Sequence, residues 1–84
     1  MEKIKKIIRK VNNRITKSMP KVSVERGIMV KTKEELIFKM RAETPYGRVE
    51  GDFFMSPDLK DESTIAEIIS WGLIEEITNK EEKN

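Results

Sequence analysis

The sequence contains no cysteine and no histidine. The first absence excludes a disulfide framework, thiolate metal sites and cysteine nucleophiles. The second removes the usual general base and the commonest metal ligand. Glutamine is absent too, and glycine, proline and aromatic residues are few. The scattered glycines form neither a phosphate-binding loop nor a dinucleotide fingerprint. Serine and threonine are present, but without histidine they have no conventional triad to join. The expectation is a protein with no catalytic residues, no cofactor and no metal of its own. A divalent cation at Asp58, Asp61, Glu62 and Glu67 is the one metal reading to weigh. Those acids lack the spacing of a calcium loop and sit where a helix start favours them.

No apolar run approaches the ~20 residues of a membrane span. The lysines near the N-terminus are not followed by the continuous apolar stretch of a signal peptide. The expected location is cytoplasmic, with no membrane partner. What the chain has in excess is charge: 38% of its 84 residues are Asp, Glu, Lys or Arg, above the ~25% typical of globular chains. A Lys- and Glu-rich, glutamine-free composition is of the thermophile kind. The charge is unevenly placed. Residues 1–19 carry seven basic and one acidic side chain, while residues 50–84 carry three basic and ten acidic. The two ends therefore attract each other, within the fold or across a dimer. The other reading is a basic face for nucleic acid.

One domain, residues 1–84, accommodates the whole pattern. Ile4, Ile7, Ile8, Val11 and Ile15 fall on one stripe of a 3.6-residue period, which predicts a basic amphipathic helix over 2–18 that Pro20 stops. A β-rich part follows over 21–55. Val22, Val24, Ile28 and Val30 read either as one strand with a glycine bulge or as two short strands around Glu25-Arg26-Gly27. Leu36, Phe38, Met40 and Ala42 alternate along a second strand. Thr44-Pro45-Tyr46-Gly47 is a turn. Val49, Gly51, Phe53 and Met55 share one face of a third strand, with Arg48, Glu50, Asp52 and Phe54 on the other.

Ser56-Pro57 reads as a helix start, and Thr64 with Glu67 as a second one, a capping box. The expected last segment, 57–78, carries the stripe Ile65, Ile68 and Ile69. Gly72 is read as a C-cap, after which Leu73–Ile77 becomes a final strand. The alternative is a helix that runs through. Residues 79–84 read as a frayed tail. The fold expectation is α+β: a small antiparallel sheet of three or four strands packed against two helices, in the order α-β-β-β-α with or without a last strand.

The most specific string is Gly51-Asp52-Phe53-Phe54-Met55-Ser56-Pro57. It resembles the Gly-Asp-Phe-Phe-x-x-Pro signature of the small accessory domain of lipoate–protein ligases, over residues 27–73. The resemblance implies an accessory subunit that closes over a partner enzyme as lipoyl-adenylate forms and supplies no catalytic lysine. It makes Gly51, Asp52, Phe53, Phe54 and Pro57 the partner-binding candidates. Read on its own, the string places Phe53 as a core anchor and Phe54 as an outward aromatic contact. The alternative function, nucleic-acid binding or regulation, would use Lys5, Lys6, Arg9, Lys10, Arg14 and Lys17 of the first helix, with no aromatic platform beside them. A third is self-association with the apolar stripe of that helix as the seam.

Overall fold

The stripe of isoleucines does form a helix, α1, over Glu2–Ser18. In the computed structural model, which describes residues 2–83, it is followed by strands β1 (Ser23–Lys31), β2 (Leu36–Thr44) and β3 (Gly47–Met55) and by helix α2 (Glu62–Lys83). The strands form one antiparallel sheet in the order β1-β2-β3. Its helical side is set by alternation. Leu36, Phe38, Met40 and Ala42 of β2 are buried, and their cross-strand partners Met29, Phe53 and Val49 point the same way. α1 lies over β1, α2 over β3, and the helices pack on each other. Ile7, Val11 and Ile15 of α1 meet Ile65, Ile69, Leu73 and Ile77 of α2 in this core. Each such side chain, fully withdrawn from water, stabilises the fold by roughly 1.5–3 kcal/mol. Because Ile7, Val11 and Ile15 are wholly buried within one chain, the stripe of α1 is not an intermolecular seam.

β1 is a single strand, and its irregularity is not at glycine. The register slips between Val24 and Arg26, so Glu25 is the extra residue. Val24 faces the helices, opposite Ala42, but beyond the bulge Ile28 and Val30 face away, opposite Lys39 and Ile37. Asn12 of α1 stabilises this point: its Oδ1 accepts the Val24 N–H at 3.0 Å. The β2–β3 turn places Gly47 at φ +115°, where a side chain would be strained. The Thr44 hydroxyl closes the turn by donating to the Gly47 carbonyl at 2.7 Å and accepting the Tyr46 N–H at 3.0 Å.

The C-terminal third corrects several expectations. Ser56-Pro57 makes a turn rather than a helix start, with the Ser56 carbonyl accepting the Leu59 N–H at 3.1 Å. Proline after serine serves a turn as well as a helix. The cap is Asp61, whose carboxylate accepts the Ser63 N–H at 3.2 Å and the Thr64 hydroxyl at 2.7 Å. Thr64 is therefore inside the first turn and not the cap itself. Residues 73–77 are helical, so there is no last strand, and α2 continues through the expected tail as far as Lys83.

Gly72 is not a C-cap: the helix continues through it without a positive φ, and the ring of Phe53 takes the space of its missing side chain. A Cβ there would sit 2.2 Å from Phe53 Cε1. Glycine within a helix costs about 1 kcal/mol relative to alanine, and here the cost is offset by seating an aromatic ring against the helix backbone. The buried Ser70 on the same helix donates to the Ala66 carbonyl at 2.6 Å. No described helix is long and apolar enough to cross a membrane.

Candidate functional site

With both helices on one face, the other face of the sheet is open. Four cross-strand rows run across it, the last being Ser23, Glu43 and Arg48. Val30, Ile37 and Phe54 form the first, Ile28, Lys39 and Asp52 the second, and Arg26, Arg41 and Glu50 the third. Phe54 is 58% exposed and Ile28 49%, with Val30 also exposed and Ile37 half-buried. An apolar patch thus occupies one end of the open face. The other end is charged and internally paired. Arg41 Nη2 lies 3.7 Å from Glu50 Oε1, and Arg48 Nε donates to Glu43 Oε1 at 3.1 Å. The hydrogen bond and charge of Glu43 raise the Arg48 pKa further, so this guanidinium stays charged.

The residues of the Gly51–Pro57 string do not form one surface. Phe54 and the exposed Asp52 belong to the open face, whereas Gly51 and Phe53 point at the helices. Gly51 is part of the seat for the Phe53 ring: a Cβ on it would lie 2.9 Å from Phe53 Cζ. Pro57 is half-buried in the turn after β3. Physically the string is an aromatic pair straddling the sheet, one ring inward and one outward.

The basic candidates are all exposed on α1. Lys10, Arg14 and Lys17 line a groove of about 680 Å³ between α1 and α2, whose other wall includes Glu67, Ser70, Trp71 and Ile74. Lys5 and Arg9 are not among its lining residues. Trp71, 69% exposed, is therefore the aromatic neighbour that the basic helix was expected to lack. Sequence reasoning missed it because a C-cap at Gly72 ends the helix beside Trp71. On a continuous helix, Trp71 and Ile74 would have registered as apolar positions off the core stripe, and Ile68, read as part of that stripe, is 42% exposed beside them. Ile28 and Val30 were missed for a different reason, since their parity with Val24 reads as one face until the bulge is placed.

Among the described residues, no three metal-ligating side chains converge. Asp61, one of the four clustered acids, is engaged as the α2 cap. The Thr64 hydroxyl and then the Ser63 N–H hold its carboxyl below the usual carboxylate range.

The surface thus presents an apolar patch beside paired charges on the sheet, and a tryptophan beside basic side chains on the helices. Compared with protein-family models, curated proteins and solved structures, the chain finds no match in any of the three.

Proposed function

We propose that the chain is a non-catalytic interaction module that docks on a protein partner through the open face of its sheet. The supporting observation is Phe54, a large aromatic side chain 58% exposed in a row with Val30 and Ile37. Contiguous exposed apolar surface on a small domain marks an interaction site, and aromatic anchors dominate interface energies. The rim of paired charges at the other end of the face fits the polar border of such a site.

Its partner in this proposal is the catalytic domain of a lipoate–protein ligase, by the resemblance at Gly51–Pro57. In this reading the ligase supplies the chemistry and the present chain supplies surface. The test is co-purification with such a catalytic domain, followed by titration with wild type and with Phe54→Ser. Wild type should form the complex. Phe54→Ser should weaken it by roughly thirtyfold or more, as loss of a central aromatic anchor does, with an unchanged unfolding midpoint. No complex with wild type, or equal affinity of the variant, refutes the reading.

A further inference from the structure

α2 carries large apolar side chains on its solvent side as well as on its core side. Its core side is filled by Ile65, Ile69, Leu73 and Ile77, yet Ile68 and Trp71 are 42% and 69% exposed on the outward side, and Ile74 is half-buried. Large apolar side chains left in water beside one another on the outward side of a helix mark a surface built to be covered. Beside it, α1 presents Lys10, Arg14 and Lys17 along the shared groove. Among the described residues none of these three cations forms an ion pair at contact distance, and neither does Glu67 or Glu75 of α2, while the charge of Lys10 acts on Asp61 ahead of α2. Lys10, Arg14 and Lys17 of α1 and Glu67 and Glu75 of α2 thus lie on neighbouring helices with no ion pair between them.

We propose that the outer surface of the two helices, centred on Trp71, is the seam of a two-fold homodimer in which α1 of each copy lies across α2 of the other. A two-fold axis running along the groove brings this about: it sets the basic helix of each copy against the acidic helix of its partner, twice. Lys10 and Arg14 then meet Glu67 and Glu75 of the second copy, and the Trp71 side chains are covered. Arg14 and Lys10 are also placed to lie over the partner's indole. By their helical rise the helices are about 25 and 33 Å long. A standard interface buries about 800 Å² per partner, roughly a seventh of the 5687 Å² the single chain exposes.

A nucleic-acid strand is the competing occupant, since it too would use a tryptophan and basic side chains. It fits less well. Glu67 and Glu75 stand four residues before and after Trp71, on its side of the helix. A base stacked on the indole would bring its phosphates to two carboxylates. The partner the surface calls for carries both signs of charge and an apolar centre, as this chain does. The proposal uses the face opposite Phe54 and stands independently of the ligase reading.

The experiment is solution mass against concentration, by light scattering or sedimentation, with emission from the single tryptophan recorded in parallel. Wild type should shift from monomer to dimer as concentration rises, and Trp71 emission should move to the blue in step. Two charge reversals, Lys10→Glu/Arg14→Glu and Glu67→Lys/Glu75→Lys, should each raise the dissociation constant by roughly a hundredfold. Mixed in equal amounts they should recover a dimer, because both contacts in the mixed pair again join opposite charges. Phe54→Ser should dimerise like wild type. A wild type that stays monomeric to its solubility limit overturns the proposal. So does a dimer indifferent to both reversals, a dimer lost in Phe54→Ser, or a monomeric wild type whose Trp71 emission is quenched by an added oligonucleotide.

Discussion

Replacing Gly72 by alanine should destabilise the protein, although alanine is the better helix former. In an open helix the change would stabilise by about 1 kcal/mol. Here the new Cβ would lie 2.2 Å from Cε1 and 2.9 Å from Cδ1 of Phe53, against the ~3.5–4.0 Å of ordinary carbon contact. The ring must retreat by more than an ångström. Overpacking of this kind costs about 1–3 kcal/mol, so the net loss should be about 1 kcal/mol. For a chain of this length that is a fall of roughly 4–8 °C in midpoint. The deciding measurement is the same substitution in a Phe53→Ala background. With the ring gone only the helix preference remains, and Gly72→Ala should stabilise by about 1 kcal/mol. Urea unfolding followed by far-UV circular dichroism gives all four corners of the cycle, with a coupling of about 2 kcal/mol. If Gly72→Ala had the same sign in both backgrounds, the account of this glycine would be refuted. A loss in both would point to a backbone requirement, a gain in both to a ring that moves freely.

Three further outcomes can be checked by unfolding. Asn12→Ala removes the acceptor of the Val24 N–H beside the bulge and should cost about 1–2 kcal/mol; Asn12→Asp, which keeps an acceptor, should lose less. Gly47→Ala forces a side chain onto a residue at φ +115° and should lower stability by about 1 kcal/mol or more, read as a lower midpoint in thermal melting. The Asp61 carboxyl titrates below its unfolded value, so its stabilising effect is complete above ~3.9 and fades as pH falls through the lower folded value. Asp61→Asn keeps a capping oxygen but cannot titrate, so neutral-pH stability should change little and the acid limb of the stability profile should flatten. Superimposable acid limbs would refute this assignment.

The α-β-β-β-α order was legible because the periodicities are strong and local. Ile7, Val11 and Ile15 repeat with the helix. Leu36, Phe38, Met40 and Ala42 alternate with the strand, and Pro45 and Gly47 mark the turn between strands. What escaped were decisions made by contacts distant in sequence. What takes the place of a side chain at Gly72 is a ring nineteen positions earlier, and nothing near Gly72 says so. The side on which Ile28 and Val30 emerge depends on one unpaired residue that is itself an ordinary glutamate. The start of α2 was a contest between adjacent local signals, won by the acid that could accept two donors. For the surfaces, Phe54 was legible as outward from simple alternation. Trp71 was hidden by the helix boundary drawn beside it.

The unpaired residue at position 25 gives β1 one residue of slack. Without Glu25, Val24 and Arg26 could still stand opposite Ala42 and Arg41, and every later pair would keep its partner and its side of the sheet. A single in-frame deletion there should therefore be absorbed by straightening the strand. A second would exhaust the reserve and turn Met29 to solvent and Ile28 and Val30 toward the helices, so tolerance to length change should stop abruptly after one.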